Sequence, residues 1–190
     1  MTLTLRSPLP RPALLVDVDG VLNAVVGTPY GARKEELAKA VFEDVFTAQN
    51  LPIRVPVGTR DRIQNLETLF DCVWATSWEE RARSHLAPRF GFGADWPFIV
   101  FQDDFPDSGT WKLPAVQRFA ELAENRGRAL AWIDDDLEPD ALEWAAWRSR
   151  EGTPTVMVRP DADVGLTERH YRKLLSFHRD CRLARTKDGG

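Results

Sequence analysis

Two aspartates, Asp17 and Asp19, stand directly after a short apolar run, Ala13-Leu14-Leu15-Val16. Like charges this close resist joint ionisation, so the pair calls for a bound cation or for one carboxyl that stays protonated. Further along come Thr76 and Ser77, then Lys112, then the run Asp134-Asp135-Asp136. This inventory suits phosphoryl transfer. One carboxylate can attack phosphorus to give an aspartyl phosphate, while a neighbouring carboxyl protonates the leaving oxygen. A hydroxyl and an ammonium can hold the phosphoryl oxygens, where charge stabilisation does most of the work. Carboxylates clustered without His or Cys favour a hard, oxygen-seeking cation such as Mg2+.

Residues so far apart in sequence meet only if regular elements bring them together. The apolar run at 13–16, bounded by Pro12 and Gly20, predicts a short strand buried on both faces of a parallel sheet. From residue 60 onward the pattern alternates. Helices are predicted over 60–70, 78–86, 112–125, 139–148 and 167–178, and strands over 72–75, 98–101, 129–133 and 155–158. That rhythm predicts an α/β fold, a Rossmann-like doubly wound parallel sheet of about five core strands. Such sheets bind ligands at the carboxyl ends of their strands, and the candidate groups follow strands, so one edge of the sheet collects them.

Residues 1–12 form a Pro-rich leader, and residues 23–58 a small insertion after the first strand. Within it an amphipathic helix is predicted over 35–46, with Leu37, Ala40, Val41 and Val45 on one side. An edge strand is predicted over 51–57, because Pro52 and Pro56 do not suit a central one. The insertion is too small for a large lid. The site is therefore expected to be open or partly covered by the helix near residues 35–46, with a second copy of the chain as another source of a lid.

The 190 residues suffice for one domain with a sizeable core. A composition of 43 % hydrophobic and 28 % charged residues is that of an ordinary globular protein. A net charge of −4 gives the whole chain no nucleic-acid footprint. Residues 168–190 are the exception, with seven Arg or Lys against three Asp or Glu. They read as a solvated helix face ending in a basic tail over 179–190. Cys72 and Cys181 cannot build a disulfide framework, which predicts a reducing, cytoplasmic setting. The N-terminal residues lack a signal-peptide pattern, and no apolar run approaches a membrane span. His85, His170 and His178 show no metal-ligand spacing.

Plainer roles compete for several of these residues. Thr76 and Ser77 each have a glutamate three positions on, Glu79 and Glu80, as in a helix-capping box. Glu138 before Pro139 is the expected cap of the following helix, which leaves the aspartates free. Asp103, Asp104 and Asp107 either line the site's rim or, on the plainer reading, are loop residues. Trp74 and Trp132 are expected in the core. Trp78 and Trp111 flank the candidate positions and either pack or stack on a base or sugar.

Asp17-Val18-Asp19-Gly20-Val21, Thr76, Lys112 and Asp134-Asp135, in that order, resemble the four motifs of the haloacid dehalogenase-like (HAD) hydrolases. The resemblance spans roughly residues 13–175. It implies a HAD-like fold of small-cap or capless type and Mg2+-dependent phosphohydrolase activity. Asp17 would be nucleophile and metal ligand, and Asp19 general acid/base and a ligand through its backbone carbonyl. Thr76 would bind the phosphoryl group, with Ser77 beside it, and Lys112 would neutralise charge. Asp134 and Asp135 would anchor Mg2+, with a one-residue slip toward Asp136 left open. The strings Trp-Ala-Thr-Ser-Trp, Trp-Ile-Asp-Asp-Asp and Gly165-Leu166-Thr167 are similar to small bacterial HAD proteins and to HAD modules attached to RNA-repair enzymes. The implied partner is a phosphorylated substrate, either a small molecule or a macromolecular end such as that of a nucleic acid. Two rivals stand beside this reading: a catalytically silent HAD-like scaffold, and a receiver-type phosphoacceptor domain.

Overall fold

The computed structural model describes residues 10–25, 42–101 and 109–187. The first strand, β1 (Ala13–Val16), is buried along its whole length. It pairs in parallel with β4 (Asp71–Trp74) on one side and with β5 (Leu130–Ile133) on the other, and β6 (Thr155–Val158) adds to β5. The sheet order is β4-β1-β5-β6. The chain thus leaves β1 toward one side and later returns to build on the other. That makes the gap between β1 and β5 the topological switch point, where open α/β sheets bind ligands. Register matters as much as order. Trp74, Val16, Ile133 and Val158 lie side by side across the sheet, so the next residues, Ala75, Asp17, Asp134 and Arg159, leave it along one line.

Successive side chains of a strand point to opposite faces, and the core divides accordingly. Leu14, Val16, Trp74 and Ile133 pack with Ile63 and Leu66 of α1 (Thr59–Leu69) and Leu174 of α5 (Glu168–Lys187). Leu15, Val73 and Trp132 pack with Val116 of α3 (Leu113–Glu121) and Ala141 and Ala145 of α4 (Pro139–Arg150). Burying a large side chain of this kind contributes about 1.5–3 kcal/mol. Trp74 and Trp132 are both core residues, as expected.

The insertion after β1 differs from its prediction. Phe42–Ala48 is a strand, β2, paired antiparallel with β3 (Leu51–Pro56). The second half of the predicted helix is therefore extended; residues 26–41, which hold its first half, lie outside the described residues. Gln49 and Asn50 both have positive φ (49° and 65°), the two-residue hairpin turn whose twist matches paired strands. Val45, one of the residues that suggested a helix, pairs with Arg54 and is 58 % exposed, while Ile53 and Val55 on either side of Arg54 are buried.

Other boundaries shift for local reasons. The strand predicted over 98–101 is reduced to a single bridge between Trp74 and Phe98, because the Glu79 carboxylate takes the amide of Phe101. The helix predicted over 78–86 starts later, with a π turn at Ala82–Leu86 that runs into α2 (Ala87–Phe90). Pro88 has no amide to give to residue 84, and the turn widens. Helix α3 stops at Glu121, where the Asn125 side chain donates to Phe119 O. Helix α5 continues through the expected basic tail to Lys187, held by buried Cys181. Cys72 and Cys181 are both buried, and no described helix is long and apolar enough to cross a membrane.

Candidate active site

Asp17 and Asp134 each follow a strand, and the sheet's own ladder fixes them. Asp17 N donates to Ile133 O and Asp134 N donates to Val158 O, both at 3.1 Å. Lys112 stands at the start of α3 and reaches into the gap between them. Its Nζ lies 2.7 Å from Asp17 Oδ2 and 2.7 Å from Asp134 Oδ2. All three are enclosed, with exposures of 4 %, 4 % and 0 % for Asp17, Lys112 and Asp134. Two carboxylates against one ammonium leave a negative excess where water cannot relieve it.

The titration behaviour follows. Burial pushes the Asp17 carboxyl up to about 8; Lys112 pulls it down and Asp134 pushes it further up. Burial alone would lower Lys112, but Asp17 and Asp134 outweigh it and hold the ammonium charged, above the ordinary lysine range. Burial, then the charge on Asp134, raises Asp135 to about 6. Asp136 is raised for the same two reasons. Either a proton or a cation cancels the excess.

The donors for a cation are present. Asp17, Asp134 and Asp135 each offer a carboxylate oxygen within 4.8 Å of the others, an all-oxygen set that fits a hard ion such as Mg2+. Asp136 is not part of it. Its backbone amide donates instead to Asp134 Oδ1 at 3.0 Å, which orients that carboxylate.

The Asp19 carboxylate is held apart from this cluster. Oδ1 accepts from Asn23 Nδ2 at 2.7 Å and Oδ2 from Trp78 Nε1 at 2.9 Å. Asn23 is itself fixed from β3, since its Oδ1 accepts from Arg54 N at 2.8 Å. The hairpin thus supports the site by bracing Asn23. Thr76 is buried just beyond the end of β4, and its Oγ1 accepts from Trp78 N at 3.4 Å. Ser77 faces solvent. The anticipated capping box does not form, because Glu79 engages Phe101 instead. Asp103, Asp104 and Asp107 lie outside the described residues.

Sequence reasoning missed three supporting residues, Asn23, Thr110 and Asp140, and the role of a fourth, Trp78. Asn23 and Trp78 orient Asp19. Thr110 and Asp140 brace the loop that carries Lys112: Thr110 N and Oγ1 both donate to the Asp140 carboxylate, and Oγ1 accepts from Glu138 N. A signal existed for Trp78, because an indole N–H two residues beyond a candidate threonine can only donate. The link from Thr110 to Asp140 spans thirty positions and leaves no local trace.

The site opens into a cleft of about 920 Å3 lined by Asp19, Asp135, Asp136, Arg159 and Asp161 among others. A parallel α/β sheet with a lysine-bridged carboxylate pair at its switch point, and an acidic trio that suits a hard cation, defines a phosphoryl-transfer type of site. Residues 13–171 match the family model described as the HAD domain in Swiss Army Knife RNA repair proteins, and the chain belongs to that family. Membership supports a hydrolase of phosphatase type in general, in a superfamily that generally uses Mg2+. No curated protein and no solved structure gives a significant match.

Proposed function

We propose that the chain is a Mg2+-dependent phosphomonoesterase that works through an aspartyl phosphate on Asp17. The observation that carries this reading is the buried Lys112 ammonium, placed 2.7 Å from both Asp17 and Asp134. A lysine so placed steadies the nucleophile before reaction and meets the phosphoryl oxygens during it. Asp17 attacks phosphorus, the bond to the leaving oxygen breaks, and Asp19 gives that oxygen a proton. Water then attacks the aspartyl phosphate, Asp19 takes its proton back, and phosphate leaves. Asn23 and Trp78 keep the Asp19 carboxylate in place for both proton transfers. Thr76 holds a phosphoryl oxygen from the end of β4. Mg2+ bound by Asp17, Asp134 and Asp135 would neutralise charge on the phosphoryl group and on the nucleophile.

The open cleft and the family's description support a phosphorylated nucleic-acid end as the substrate class. The test is hydrolysis of p-nitrophenyl phosphate by the wild type and by Asp17→Asn, each with Mg2+ and with excess EDTA. Metal-dependent turnover that disappears in the variant supports the reading. Equal turnover by both proteins contradicts it.

A further inference from the structure

Arg159 directly follows β6 as Asp134 follows β5 and Asp17 follows β1, from strand ends that are in register. It is thus the next strand-end residue along the site's edge, and it carries the opposite charge. Its Nε donates to Asp135 O at 2.9 Å, which fixes the guanidinium against the loop of the acidic trio. Arg159 belongs to two cavities at once. One is the cleft that opens from Asp19 and Asp135, where it is the one cation among the described lining residues. The other is a neighbouring cavity of about 210 Å3 lined by Val158, Arg159, Arg169, His170 and Lys173.

The second cavity has the chemistry of an anion site. Arg169 and Lys173 stand four residues apart on α5, so they share a helix face, where like charges repel. Among the described residues no ion pair links Arg159, Arg169 or Lys173 to a carboxylate. The acidic residue of that turn, Glu168, is engaged elsewhere by Arg62 and Arg172. Lys173 Nζ donates to Met157 O at 2.8 Å, which lays it across the end of β6. His170 Nδ1 accepts from Thr167 N, and burial, with the charges of Arg169 and Lys173, holds the ring below its ordinary value. One lining residue of this cavity is bonded to the candidate reaction centre, since Val158 O accepts the amide of Asp134.

We infer that Arg159, Arg169 and Lys173 form a second phosphate subsite, which binds a further phosphate group of the same substrate whose terminal phosphate lies at Asp17. The inference rests on the phosphatase reading for its first phosphate, and for its second on the charge of the smaller cavity and on Arg159, which lines both. It selects substrates with at least two phosphate groups. Two sources share that chemistry: the phosphodiester next to a strand end, and the inner phosphate of a nucleoside diphosphate.

The test compares kcat/KM on three probes: a 5′-phosphorylated dinucleotide, a nucleoside diphosphate and p-nitrophenyl phosphate. Proteins are the wild type, R169A/K173A, and Arg172→Ala as a control that removes a cation from the same helix. The double variant is expected to lower the ratio of one doubly charged probe to p-nitrophenyl phosphate by about tenfold or more, with the control at the wild-type ratio. The probe that responds identifies the source. An unchanged ratio in the double variant, or an equal fall in the control, overturns the subsite. Affinity for the dinucleotide and the diphosphate, measured by calorimetry in an Asp17→Asn background, separates the two claims. If the wild type turns over no probe, the phosphatase reading fails. A loss of affinity on R169A/K173A then still supports the subsite, and unchanged affinity overturns it.

Discussion

The Asp135 carboxyl group fills the space that a side chain on Gly20 would need: a Cβ at position 20 would overlap it. Gly20 also has φ of 73°, a conformation that disfavours any L side chain. The turn after β1 and the turn after β5 therefore interlock, and the glycine lets the Asp135 carboxylate sit against the turn that carries Asp19.

Gly20→Ala should displace Asp135 and strain the turn. The backbone term alone costs about 1–2 kcal/mol, and thermal unfolding should show a loss of several degrees. The sharper readout is the rise in Tm on adding Mg2+, which should largely vanish because one of three carboxylates has moved.

Trp78→Phe removes one of the two donors that hold Asp19. An aromatic ring still fills the site, so the stability cost should be that of the lost hydrogen bond to a carboxylate, about 1.5–3 kcal/mol. Misdirecting Asp19, the proposed acid/base, should lower kcat about 10–100-fold, with little change in KM. Steady-state kinetics at saturating Mg2+ checks both.

Lys112→Met leaves Asp17 and Asp134 facing each other without their cation. Breaking a buried pair in this way costs about 3–5 kcal/mol, measurable by urea unfolding in EDTA. Adding Asp17→Asn to the same protein should recover part of that loss only at alkaline pH, where Asp17 would otherwise lose its proton and leave two stranded charges.

The pH dependence has a defined sign. Burial raises Asp17 to about 8 and Asp135 to about 6 in the folded protein, from an ordinary carboxylate value of 3.8. Across that window the folded state binds protons that the unfolded state does not. Stability in EDTA should therefore fall as pH rises from about 4 to about 8. Asp17→Asn should flatten the upper part of the curve and raise Tm at pH 8. The stabilisation by Mg2+ in the wild type should grow over the same range, since the cation replaces the proton.

Much of this was legible because it is local. The run at 13–16 is apolar at every position, so a doubly buried strand was the natural reading, and Asp17 had to lie at its end. The strand-helix rhythm after residue 60 gave the parallel sheet, and register then brought Asp17 and Asp134 together. The hairpin was not legible in the same way. Phe42–Ala48 mixes apolar and acidic residues in an order that also suits a helix, and its pairing with β3 decided the outcome. The supports of the site were hidden for the same reason. Asn23 meets Arg54 and Trp78 meets Asp19 only through the fold.

The central claim is that Asp17 carries the phosphoryl group. Borohydride added during turnover of p-nitrophenyl phosphate reduces an acyl phosphate to an alcohol, which converts the aspartate that bears it to homoserine. Peptide mass spectrometry should find homoserine at position 17, dependent on both substrate and Mg2+. Active turnover with residue 17 unmodified, or with the label on another carboxylate, would contradict the account.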